Sequence, residues 1–111
     1  MTKLLVIDDK ENIQKVLKMI LEKEGYDVKT ASSGKEGLNC ALSDSPDIII
    51  SDIRMDDMDG TEIFQLLRSR GKNIPFIFIT AFASIKGAVN AIKKENQDEE
   101  QTKNQTKKIN D

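Results

Sequence analysis

Asp8 and Asp9 close the first apolar run of the chain, Leu4-Leu5-Val6-Ile7. Asp52 follows Ile48-Ile49-Ile50 and Ser51, while Thr80 and Ala81 close Phe76-Ile77-Phe78-Ile79. If these runs are neighbouring parallel strands, three carboxylates and a hydroxyl converge at one edge of the sheet, where open parallel sheets bind ligands. Crowded carboxylates repel, and their joint ionisation is costly without a cation. Oxygen ligands of this kind suit Mg2+ or Mn2+, hard ions that readily keep some waters. Such an ion withdraws charge from a phosphate oxygen and offsets that of an attacking carboxylate. Asp acts as a nucleophile toward phosphorus by forming an acyl phosphate, and Thr80 has a hydroxyl to donate to the transferred group. The pattern permits a phosphoryl-accepting carboxylate without saying which Asp is attacked. A lone acidic residue after a strand is usually a cap, but the Asp8-Asp9 pair exceeds what one cap needs. Asp56, Asp57 and Asp59 read as ordinary turn chemistry.

The elements that must position these residues alternate in type. Leu4 to Ile7 has the length and branching of a strand buried on both faces. Ile13, Val16, Leu17, Ile20 and Leu21 recur at helical spacing, and Gly25 stops that helix. Tyr26 to Ala31 reads as a second strand. Ser33-Gly34 opens a short helix carrying Leu38, Ala41 and Leu42, which ends before Pro46. Cys40 lies near its apolar side and reads as a small buried hydrophobe. Ile48 to Ile50 is the third strand, and 56–60 is a loop. A helix over Thr61 to Ser69 turns Ile63, Leu66 and Leu67 inward and stops at Gly71. Phe76 to Ile79 is the fourth strand, and Ile85, Ala88, Val89 and Ile92 mark a last amphipathic helix. The order βαβαβαβα, with strands apolar almost throughout, predicts an α/β doubly wound parallel sheet in three layers, with helices on both faces.

Composition narrows the chemistry. The 111 residues suit one domain and contain no His, so a His-based metal site, a Ser-His-Asp triad and a phosphohistidine donor are excluded within this chain. The single cysteine forms no internal disulfide, which fits a reduced cytoplasmic setting. No apolar stretch approaches 18 residues and no signal-peptide pattern opens the sequence, so no membrane association is expected. Charge divides unevenly: residues 1–94 carry 14 basic and 14 acidic groups, and residues 95–111 carry 3 and 5. The net charge of -2 therefore belongs to that last segment, whose large apolar content is Ile109 alone. It reads as a polar tail or a helical extension beyond a 1–94 core. With no basic stripe, direct nucleic-acid binding is disfavoured.

Taken in order, Leu5-Val6-Ile7-Asp8-Asp9, Pro46-Asp47-Ile48-Ile49-Ile50-Ser51-Asp52-Ile53-Arg54-Met55, Asp57-Met58-Asp59-Gly60 and Ile79-Thr80-Ala81 resemble the receiver domain of two-component response regulators. The resemblance runs from residue 3 to about 94 and implies the flavodoxin-like receiver fold. It also implies that Asp52 accepts phosphate from the histidine of a sensor kinase or phosphotransfer protein, with Mg2+ as cofactor. By the same resemblance, Asp9 binds the metal directly, Asp8 acts through water, and the Arg54 carbonyl completes the ligands alongside Asp52. Thr80 becomes the switch hydroxyl, and the Ala81 N–H binds a phosphoryl oxygen. Any catalysis expected is limited to Mg-dependent self-phosphorylation from small donors and autodephosphorylation.

Two departures from the family shape the remaining expectations. Asp56 stands where the family usually has Pro, removing a fixed φ and adding a charge near the pocket. Beyond Lys94 the regular fifth strand and fifth helix are not recognisable, and the family's phosphate-binding lysine position falls on Thr102, with Lys103 beside it. Four strands with an open edge are therefore expected, together with a pocket lacking its only expected cation besides the metal. An open edge favours homodimerisation or partner capture, and a phosphorylation-impaired interaction module is the alternative function. A related acyl-phosphate phosphatase is disfavoured because Arg54 occupies the place of its second Asp.

Overall fold

A strand that is apolar on consecutive residues is stable only where both faces of its sheet are covered. The computed structural model, which describes residues 1–79 and the backbone of 106–109, shows how this chain meets that requirement. Strands β1 (Lys3–Ile7), β2 (Asp27–Ala31), β3 (Ile48–Asp52) and β4 (Phe76–Ile79) alternate with helices α1 (Glu11–Lys23), α2 (Gly34–Asp44) and α3 (Gly60–Ser69). All strand pairs are parallel, in the order β2-β1-β3-β4-β5, with β5 at Thr106–Ile109. Leu5 lies opposite Lys29 on one side and Ile49 on the other, and Ile50 lies opposite Ile77. The order turns back between β1 and β3, where a doubly wound sheet opens a crevice beyond its strand ends.

Alternate strand residues supply two cores. Leu4, Val6, Val28, Ile48, Ile50, Ile77 and Ile79 pack with Leu17 and Leu21 of α1. Leu5, Ile7, Ile49, Phe76 and Phe78 face the other way, toward Ala41 of α2 and Ile63 and Leu67 of α3. Cys40 is half-buried against this second core, close to its expected role. Local chemistry sets the element ends. The α1 helix closes at Gly25, whose φ of +96° disfavours a side chain, while the Tyr26 N–H returns to the Leu21 carbonyl at 3.2 Å. Past the end of α3, the Arg68 guanidinium donates to the carbonyls of Lys72 and Ile74 at 2.8 and 2.9 Å, bracing the turn into β4.

The parallel three-layer arrangement agrees with the sequence reading, but its edge requires a correction. Instead of an open β4 edge, Thr106–Ile109 pairs with Phe76–Ile79, with Phe78 opposite Lys108. A strand at the edge of a sheet tolerates polar sequence, and charged residues, lysine above all, are common there. Thr106 and Ile109 are β-branched and favour extended backbone. Residues 80–105 connect the two strands, more than the dozen or so that a parallel crossover requires. Four residues of the expected polar tail are therefore strand, and the ground for dimerisation through an unpaired β4 edge is removed. The helix expected around Ile85 to Ile92, and the positions Thr102 and Lys103, lie outside the described residues.

Leu67 is fully buried between α3 and the sheet. Leu67→Ala should destabilise the domain by about 2–5 kcal/mol in urea unfolding with an unchanged m-value. The exposed Met19→Ala should change stability by less than about 0.5 kcal/mol.

Candidate functional site

The crevice between β1 and β3 receives the residues that follow or end those strands. Asp8 leaves β1 with its N–H bonded to the Ala31 carbonyl at 3.1 Å, which carries it past the sheet edge in a fixed direction. Its side chain accepts the Lys10 N–H at 2.9 Å, and its carbonyl accepts Gln14 Nε2 at 2.6 Å. Gln14 is buried on the first turn of α1 and ties helix to strand at the acidic pair. Asp52 ends β3 with its side chain 9% exposed. Ser51 Oγ donates to the Asp52 carbonyl at 2.9 Å, fixing the backbone beneath the carboxylate.

Asp8, Asp9 and Asp52 each offer a carboxylate oxygen, and the three atoms lie within 4.8 Å of one another. Asp8 and Asp52 are buried, while Asp9 reaches toward solvent. Burial pushes the Asp8 carboxyl above its ordinary range. The Lys10 N–H pulls it back down, and the charge of Asp52 adds to the rise. A hard divalent cation fits this all-oxygen donor set, since it relieves the repulsion that the buried geometry concentrates.

A cation that the sequence reading did not single out stands beside the acidic cluster. Lys10 Nζ lies 3.5 Å from Asp52 Oδ2 and 3.6 Å from Asp9 Oδ1. Asp52 foremost holds this ammonium above the ordinary lysine value, against a smaller opposing effect of desolvation. Lys10 escaped sequence inspection because it follows the acidic pair as the N-cap of α1, where a lone lysine ordinarily reads as solvated surface.

The loop after β3 is held from two sides. Gly60 N–H donates to the Ile53 carbonyl at 2.8 Å, and a Cβ at Gly60 would collide with the Asp52 carbonyl and with Ser51 Oγ. Only the bare backbone lets α3 begin this close to the end of β3. Asp57 accepts the N–H groups of Gly34 at 2.9 Å and Lys35 at 2.8 Å, while Ser33 Oγ accepts that of Glu36 at 3.1 Å. The first N–H groups of α2 are thus satisfied by two different segments. Asp57 is more than a turn residue: it clamps the site loop to the start of α2. Arg54 and Asp56 are exposed in that loop. Thr80 and Ala81 lie outside the described residues.

Residues 4–103 match the response regulator receiver domain family. The chain belongs to that family. It is 43% identical over 88 residues to the transcriptional regulatory protein GlrR of Escherichia coli (strain K12), spanning 79% of this chain and 20% of that protein. It is 42% identical over 79 residues to the alkaline phosphatase synthesis transcriptional regulatory protein PhoP of Bacillus subtilis (strain 168), spanning 71% of this receiver and 33% of PhoP. The chain thus accounts for well under two thirds of either regulator. Among solved structures, the receiver is similar to TrrA of Thermotoga maritima in complex with Mg(2+)-BeF, at TM-score 0.74 and 29% identity over 100% of this chain and 88% of that one. A response regulator receiver domain protein from Clostridium thermocellum gives TM-score 0.69 and 32% identity over 85% and 76% of the two chains. No helix among the described residues is long and apolar enough to cross a membrane.

The two N–H bonds to Asp57 hold its carboxyl below the ordinary carboxylate range. A depressed carboxyl stabilises the fold fully above its unfolded pKa of about 3.9 and loses that contribution as pH falls through the lower folded value. Asp57→Ala should therefore lower stability at neutral pH and flatten its fall in acid, read from urea unfolding across a pH series. Asp8→Asn removes one of the crowded buried charges. In metal-free buffer it should raise the thermal midpoint while abolishing any stabilisation by added Mg2+.

Proposed function

We propose that this receiver takes a phosphoryl group on Asp52 from the phosphohistidine of a partner sensor kinase or phosphotransfer protein. The observation that carries the reading is the convergence of Asp8, Asp9 and Asp52 within 4.8 Å at the crevice between β1 and β3, on a chain whose family match spans it. An Asp52 carboxylate oxygen forms the new P–O bond as the donor's P–N bond breaks, and the released electron pair passes to the imidazole nitrogen, which is then protonated. Asp9, with Asp8 through water and the Arg54 carbonyl, would hold Mg2+ or Mn2+ beside Asp52. That ion supplies charge stabilisation to the phosphoryl oxygens. Thr80 and the Ala81 N–H are the proposed phosphoryl contacts.

The relatives are transcriptional regulators by name, and for this chain a transcriptional output is part of the proposal, with Asp52 phosphorylation as its input. The cytoplasm, where sensor kinases place their phosphohistidine, is the proposed setting. The alternative, a phosphorylation-impaired interaction module, rested on a missing fifth strand, fifth helix and phosphate-binding lysine; Thr106–Ile109 pairs beside β4, and the family match over residues 4–103 supports the phosphoacceptor reading instead.

Incubation with acetyl phosphate or phosphoramidate and Mg2+, followed by intact mass measurement, tests the reading. The expected outcome is addition of one phosphoryl group to the natural sequence, none to Asp52→Asn, and loss of the addition in excess EDTA. Equal labelling of Asp52→Asn would overturn it.

A further inference from the structure

Lys10 Nζ bridges Asp9 Oδ1 and Asp52 Oδ2 at 3.6 and 3.5 Å, two of the carboxylates that make up the candidate metal site. Its backbone N–H meanwhile binds the third, Asp8, at 2.9 Å. The lysine therefore touches every acidic member of the cluster, by main chain at one and by ammonium at the others. The backbone contact is rigid, since Lys10 is the N-cap of α1. By contrast, the ammonium stands at the end of a flexible stem whose side chain is 56% exposed, so it can leave for solvent at little cost.

We propose that Lys10 is a tethered counter-ion of this site, which occupies the Asp9–Asp52 position until a divalent cation displaces it and so sets how tightly that cation binds. The inference rests on the proposed metal site at Asp8, Asp9 and Asp52. A divalent ion takes carboxylate oxygens at about 2.0–2.1 Å, and a univalent ammonium already paired with the same oxygens is repelled from the space it enters. Binding of the ion then includes breaking two ion pairs and moving the ammonium away. With the ammonium half exposed in both pairs, neither pair is strong, so the divalent ion wins, but with reduced affinity. Without an ion, the same lysine offsets part of the carboxylate repulsion and lets the receiver hold its acidic cluster together.

Isothermal titration of the full chain with Mg2+ at low ionic strength, repeated for Lys10→Met, Lys10→Arg and Asp9→Asn, tests the proposal. Lys10→Met keeps the length of the stem and removes the charge, and it should bind Mg2+ roughly 3- to 10-fold more tightly. Lys10→Arg should stay close to the natural sequence, and the advantage of Lys10→Met should shrink as salt screens the ammonium. In EDTA, Lys10→Met should melt below the natural sequence, with Mg2+ reversing the order. Unchanged or weaker binding by Lys10→Met, or equal tightening by Lys10→Arg, would overturn the role of Lys10 while leaving the metal site standing. Binding that persists undiminished in Asp9→Asn would overturn the metal site and this inference with it. Circular dichroism of each variant separates these outcomes from misfolding, and Lys10→Gln serves as a second neutral replacement.

Discussion

Repulsion among three carboxylates held within 4.8 Å is the constraint around which the rest of the receiver is arranged. Left to itself, such a cluster would open, since Asp9 reaches solvent and Asp8 already pays for its burial in a raised pKa. The fold keeps the groups together by fixing the backbone on which each stands. Two parallel strands, β1 and β3, run side by side with Leu5 opposite Ile49 and Ile7 opposite Ser51, so the residues just beyond them cannot separate without breaking the central pairing of the sheet. The large apolar burial on both faces therefore maintains an electrostatically unfavourable edge.

Smaller devices then adjust what the sheet has brought together. Gln14 binds the Asp8 carbonyl from α1, Ser51 binds the Asp52 carbonyl from within β3, and Gly60 allows α3 to start against that same carbonyl. Asp57 fastens the loop to α2 across the top of the second core. None of these residues touches the proposed phosphoryl acceptor oxygens. Each limits how far the backbone at Asp8 or Asp52 can move when a cation or a phosphoryl group changes the local charge. Lys10 differs from them in bringing a positive charge to the cluster itself, on an exposed stem, and it answers the repulsion directly.

Much of this was legible in the sequence because it follows from patterns that repeat. Strand runs ending in Asp8, Asp9 and Asp52, and helical spacing in Leu17, Leu21, Ile63 and Leu67, locate the sheet, its covering helices and the acidic edge. Less legible were contacts made by single side chains across loops. Gln14 is polar at a buried helical position, Asp57 looks like a turn residue, and Lys10 looks like surface; their partners are set by tertiary geometry that no spacing encodes. The edge strand Thr106–Ile109 was hidden for a related reason. Its two lysines suit an edge but lower any reading based on apolar runs, and its partner β4 lies far back in the chain.

The central claim is that Asp8, Asp9 and Asp52 act as one cation site at the mouth of the β1–β3 crevice. Substoichiometric Mn2+ added to isotopically labelled protein tests it most directly, because paramagnetic broadening of amide signals in NMR spectra falls steeply with distance from the ion. The account predicts selective loss of the signals of Asp8, Asp9, Lys10 and Asp52 to Arg54, with those of Glu24 and Asp44 at the opposite ends of their helices retained, and recovery on adding excess Mg2+. Broadening centred elsewhere, or spread evenly over the acidic surface, would contradict it.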